Sequence, residues 1–151
     1  MRPVVFLLLL IGALSRAPTS PISTASPNWC DEPGPVTEVS GSIHCEVRLV
    51  RFTPGATVRI DAGTSGNIQV RSAQRRNVEA EARVWVRSGT MADARALADR
   101  VLIRTDGALR AETPLSTAGD LVDVSFRVRV PHESDLDLTA QNGHIEINDI
   151  H

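Results

Sequence analysis

Lysine and tyrosine are missing from the 151-residue chain, and aromatic side chains make up only 3% of it. All 16 basic residues are therefore arginine. With so few rings, a core must be built from Val, Ile, Leu and Ala, which suit narrow, layered β interiors better than a broad globular centre. A formal charge of −2, with both signs interspersed, gives no long-range pull on polyanions, and this argues against nucleic acid as a partner. The length has room for about one domain.

Motifs for chemistry are also scarce. His44, His132, His144 and His151 are scattered, with no HExxH and no i, i+4 pair for zinc, so they read as surface or turn residues. His132-Glu133-Ser134-Asp135 holds the residue types of a nucleophile, a base and an acid. Adjacent residues of an extended strand point to opposite faces, however, and a triad needs side chains converging from different elements. Asp135 and Asp137 share a strand face and could attract calcium, yet no EF-hand loop or glycine-aspartate nonapeptide accompanies them. No metal or other cofactor is expected. A polysaccharide-acting enzyme would need convergent carboxylates or a basic residue in a groove, and neither is evident, so the chain is read as non-catalytic.

Targeting comes next. Arg2 followed by the apolar run Val4 to Leu14 has the layout of a secretory signal, too short to span a bilayer, with the best cleavage point after Ala25. Residues 1–25 are therefore expected to be a signal peptide, and the mature chain to hold no membrane span. No lipid-attachment box precedes Cys30. In an oxidising compartment Cys30 and Cys45, the only cysteines, read as one disulfide. A redox or metal pair would need a tighter CxxC spacing or nearby histidines. Residues 26–44 are rich in Pro, Gly, Ser and acids and read as an irregular segment tethered by that bond.

From residue 45 onward the pattern is β. Val122, Val124, Phe126, Val128 and Val130 alternate with Asp123, Ser125, Arg127 and Arg129, which predicts a half-buried strand with one wet face. Val78 to Arg87 alternates likewise. If those two strands pair antiparallel, Glu79 and Glu81 lie opposite Arg129 and Arg127, a complementarity that selects register. Between them Met91, Ala94, Leu97, Ala98 and Val101 recur at helical spacing after Thr90 and Asp93, predicting one short helix over about 91–100. Asp106-Gly107 predicts a hairpin turn between Val101–Thr105 and Ala108–Ala111, with a loop over Pro114–Asp120.

A repeat lies beneath this pattern. Val58-Arg-Ile60-Asp-Ala62, a glycine-bearing turn and Ile68-Gln-Val70 have the same layout as Leu136-Asp-Leu138-Thr-Ala140, its turn and Ile145-Glu-Ile147. In the second copy Gly143 is expected to supply a positive φ. The arginine faces, Arg48 with Arg51 and Arg127 with Arg129, could contact anionic glycans or lipids, but the preferred reading is solvent-facing charge that blocks edge association. Trp29 and Trp85 could stack sugars, or lie buried beneath the disulfide loop and on a sheet face.

The leader, WC and then CEVR, the rung Val58 to Val70, the long strand, the helix, and VDVSFRVRVP followed by LDLTAQNGHIEI resemble a bacterial β-strand-repeat family described as putative adhesins, a domain of unknown function. The resemblance covers roughly residues 45–151 and brings no catalytic signature. It implies the β-sheet or β-roll start of a right-handed parallel β-solenoid, mainly β with one short helix, on an exported protein of the bacterial envelope. In that family the rungs continue further, so this chain is expected to be partial, with an open solenoid edge prone to self-association. The expected role is an adhesin-like binding or scaffold module in the periplasm, on the cell surface or outside the cell, with a cell-surface protein or glycan as partner. Arg127, Arg129 and Trp85 are the candidate surface-binding residues. The alternatives are a polysaccharide-acting enzyme and a structural envelope-stress accessory protein.

Overall fold

A computed structural model describes residues 29–35 and 40–149. The expected signal peptide and its cleavage point lie outside the described residues, as does His151. The chain is mainly β; the described residues form nine strands in two mixed, unclosed sheets, and one helix. The strands are β1 (Ser42–Phe52), β2 (Thr57–Asp61), β3 (Ile68–Ala73), β4 (Val78–Ser88), β5 (Leu102–Arg104), β6 (Leu109–Glu112), β7 (Leu121–Pro131), β8 (Asp135–Thr139) and β9 (Ile145–Asn148). The larger sheet has the order β1-β4-β7-β3-β9 and the smaller the order β5-β6-β2-β8.

Alternation dictates the layering. On the inner face of the larger sheet Ala82, Phe126, Ile68 and Ile145 form one cross-strand row, and Val50, Ala80, Val128, Val70 and Ile147 the next. The smaller sheet answers with Leu109, Ile60 and Leu138 in one row and with Val58 beside Leu136. The two inner faces make the core, and each fully buried Val, Ile or Phe stabilises it by about 1.5–3 kcal/mol.

The helix α1 (Met91–Asp99) covers the inner face of β4 and β1 with Ala94, Leu97 and Ala98. Thr90 caps it, its Oγ1 accepting the Asp93 N–H at 3.1 Å. The last turn holds no basic residue of its own. Arg48, from β1, supplies the charge instead, donating to the carbonyls of Ala98 at 2.8 Å and Val101 at 2.5 Å. Arg48 therefore points away from Arg51, and the two form no common surface. Burial pushes the Glu46 carboxyl up, but its hydrogen bonds to Arg48 and His44 outweigh this and hold it below the usual glutamate value.

The two copies of the repeat stack on each other. Val58 and Ile60 pair in parallel with Leu136 and Leu138, and Ile68 and Val70 pair with Ile145 and Ile147. A third strand pair, β6 followed by β7, lies on the opposite side of the first copy, giving the order β6-β2-β8 in one sheet and β7-β3-β9 in the other. This pair has no short glycine turn; residues 113–120 join it as a loop, which hides its kinship in the sequence. Stacking order thus differs from chain order, since the first pair occupies the middle.

The turns stack as closely as the strands. Gln141 N–H donates to the Gly63 carbonyl at 3.1 Å, Asn142 N–H to Thr64 at 3.1 Å, and His144 N–H to the Asn67 side chain at 2.8 Å. Gly143 does not have the expected positive φ; in this turn region that role belongs to Gly63, at φ 66°. Gly143 is needed for a different reason. A Cβ there would sit 2.0 Å from the Gly66 carbonyl oxygen, and a Cβ on Gly66 would sit 2.0 Å from that of Val124.

The expected effect of Gly66→Ala or Gly143→Ala is a loss of stability of about 1–3 kcal/mol, because backbone must move to admit the methyl group. Gly55→Ala, where nothing lies within 4 Å, should be close to neutral in the same thermal melts. Equal melting temperatures for all three variants would contradict the stacked-turn account.

Candidate binding surface

Register places the charged residues of five strands in rows on the outer face of the larger sheet. Arg51, Glu79, Arg129, Arg71 and Asn148 form one row, and Leu49, Glu81, Arg127, Gln69 and Glu146 the next. The opposition of Glu79 to Arg129 and Glu81 to Arg127 is as the alternation predicts. The wet face expected of these strands is not wet, because Glu79, Glu81, Arg83, Asp123 and Ser125 are all buried. Central strands are flanked on both sides, and the long arginines and the segment around Trp29 close over them. Arg127 and Arg129 therefore lie on an interior strand, where they shield no sheet edge.

Glu79 is the anchor of this face. It accepts from Arg51 Nε at 2.9 Å and Arg129 Nη1 at 2.9 Å, and meets Arg75 Nη1 at 3.0 Å. Burial alone would push its carboxyl up, but the hydrogen bonds and charges of Arg75 and Arg51 hold it below its ordinary value of 4.5.

A disulfide between Cys30 and Cys45, with Cα atoms 5.7 Å apart, straps the N-terminal segment across the same face. Its short 3-10 turn, Trp29–Asp31, follows from that tether, which sets Trp29 beneath two guanidinium groups. Arg127 lies 4.2 Å from the ring centroid and Arg83 5.3 Å, contacts that stabilise by about 0.5–2 kcal/mol each. Arg127 also donates to both Glu32 oxygens at 2.7 Å and, through Nε, to Gln69 at 2.9 Å. Arg83 Nη1 donates to the Trp29 carbonyl at 3.2 Å. Burial pulls the Arg83 guanidinium below its usual value, against the charges of Asp123 and Glu32. Burial likewise pushes Asp123 up, against hydrogen bonds from Ser125 and Ser65 and the charge of Arg83.

Of the candidate residues, Arg127 and Arg129 line a cavity of about 350 Å³ together with Gln69, Arg71, Glu81 and Val128. Trp85 does not join them. It is 3% exposed, packed under Gly34 of the strap, and beyond the reach of a ligand. Arg71 and Gln69 escaped notice in the sequence because their strand is short; the signal was their place in the row beside Arg129 and Arg127. The residues of the His132–Asp135 stretch are not brought together: the His132 ring faces Ser72 Oγ at 3.0 Å, and the Ser134 hydroxyl donates to the Pro131 carbonyl at 2.8 Å. Asp137 faces Arg59 at 3.4 Å, and His44 faces Glu46 at 3.3 Å. Among the described residues no three His, Cys, Asp or Glu side chains gather as metal ligands, and no helix is long and apolar enough to cross a membrane.

No family model and no curated protein matches the chain. Among solved structures it is similar to a crystal structure of a putative adhesin from Bacteroides fragilis, with a TM-score of 0.34 and 14% identity over 69% of this chain and 44% of that one. The chain thus spans less than half the length of that structure.

Acidification should destabilise the protein through Glu79. A depressed carboxyl contributes stability above its unfolded value of 4.5, and this is lost as pH falls through the lower folded value. Glu79→Gln should cost about 1–2 kcal/mol at pH 7, a figure reduced because its arginine partners are partly exposed, and should flatten the acid limb of stability against pH. Urea unfolding at pH 7 and pH 3.5 checks both; an acid limb as steep in the variant as in the parent would contradict the assignment.

Proposed function

We propose that the chain is an exported, non-catalytic β-repeat protein, an adhesin-like binding or scaffold module whose strand pairs form the start of a right-handed parallel β-solenoid. The observation that carries this is the parallel, in-register pairing of Val58, Ile60, Ile68 and Val70 with Leu136, Leu138, Ile145 and Ile147. A unit that buries its apolar face only by stacking on its neighbours makes an elongated surface, and such surfaces serve binding. On this reading β1, β4 and α1 cap one end of the stack. At the other end Ile145 is 43% and Ile147 51% exposed, although their counterparts Ile68 and Val70 are fully buried, which suits association through the β8–β9 edge.

Export is supported by the leader-like first 25 residues of the sequence and by the disulfide, which persists in an oxidising compartment. The periplasm, the cell surface and the exterior all meet that condition. The partner is a glycan or protein of a cell surface, met by the arginine face of the larger sheet.

Fractionation with thiol labelling, followed by pull-down on intact cells and cell-wall glycans, tests this reading. The expected product is shortened at its N-terminus, carries no free thiol, and is retained by cells or glycans. An unprocessed cytosolic product with two free thiols, or cleavage of the glycans, would overturn it.

A further inference from the structure

The three arginines of the outer cavity are not equivalent. Arg127 is committed to Glu32, Gln69 and the Trp29 ring. Arg129 spends Nη1 on Glu79, a carboxylate already shared with Arg51 and Arg75. The Arg71 side chain is exposed and has no hydrogen-bond or ion-pair partner among the described residues. Arg71 and Arg129 are nevertheless direct neighbours on the parallel strands β3 and β7. Like charges facing each other across strands destabilise a sheet, so this pair is poised to gain from an anion placed between the two groups. Beside them lie Glu81, which makes only a long ion pair of 3.9 Å to Arg129 among the described residues, and Gln69, whose amide nitrogen is left to donate because its oxygen accepts from Arg127.

We propose that this cavity binds an acidic saccharide, a glycan bearing uronic acid, with the sugar carboxylate between Arg71 and Arg129 and neighbouring hydroxyls on Glu81 and Gln69. This deepens the reading given above and rests on the chain being a binding module. The guanidinium fork matches a carboxylate with two parallel hydrogen bonds. The face already holds one carboxylate against a guanidinium, both Glu32 oxygens accepting from the single Arg127 Nη2 at 2.7 Å. A phosphate dianion would be repelled by Glu81, whereas a sugar hydroxyl next to a single carboxylate donates to it. The volume of about 350 Å³ suits one or two sugar rings. The overall charge of −2 does not oppose this, because recognition is by local forks rather than by a long-range field.

Calorimetric titration of the full-length, disulfide-bonded protein with oligogalacturonate is the test, with methyl-esterified oligogalacturonate and inorganic phosphate as comparison arms. Saturable binding that weakens with salt, and is lost on esterification, is expected. Arg71→Gln should weaken it about tenfold or more, the loss of a charge-assisted pair, at an unchanged or slightly higher melting temperature. Arg59→Gln, on the smaller sheet and paired with Asp137, should bind as the parent does. Equal affinity for the ester, tighter binding of phosphate, or an Arg71→Gln variant that binds unchanged would overturn the proposal. Carboxylate-dependent binding by a protein found in the cytosol would sustain the ligand class while removing the exported role; cleavage of the titrant would sustain the site while removing the non-catalytic one.

Discussion

Backbone contact at two glycines sets the spacing of everything else in this fold. Hydrogen-bonded strands lie about 4.8 Å apart, so the short turns that link β2 to β3 and β8 to β9 must approach each other as closely as the strands do. The Gly66 and Gly143 positions lie against the carbonyls of Val124 and Gly66, with no room for a side chain. With the turns nested, the parallel ladders on both sides fall into one register, and Ile68 and Val70 are covered from both directions. A single methyl group would therefore act on two sheets together.

The outer face presents the opposite problem, charge rather than close packing. Buried carboxylates are costly unless paired, and here Glu79 is satisfied by three arginines from three different segments. This arrangement leaves positive charge in excess on one side, where Arg71 stands alone beside Arg129. The strap carrying Trp29 and Glu32 closes over the other end of the same rows and holds Arg127. One face thus divides into a covered half, fixed by the disulfide, and an open half with an unused fork.

Much of this was legible in the residues. Alternation located β4 and β7 and their charge register, helical spacing after Thr90 located α1, and Asp106-Gly107 marked the β5–β6 turn, where Gly107 takes φ 83°. Local chemistry determines each of these. The copies at 58–70 and 136–147 were visible because their turns are short and alike. The third pair was not, because a loop replaces its turn and pairing in space leaves no mark on that stretch. The same limit applies to the candidate surface. Arg127 and Arg129 stand out in a long strand, Arg71 becomes their neighbour only through the parallel β3–β7 ladder, and Trp85 is removed by a glycine 51 positions earlier in the chain that closes over it.

The mismatch between stacking order and chain order bears on how the protein can be assembled. The β2–β3 pair is made early, yet both of its lateral partners come from segments made much later. A chain emerging N-terminus first, from a ribosome or a translocation pore, would hold the edges of that pair bare until the final third arrived. Local collapse cannot complete such a structure, and its rate should be governed by closure of long loops. Until then the early β1–β4 segment would present unpaired strand edges and uncovered apolar side chains, the features that make partly made chains prone to association.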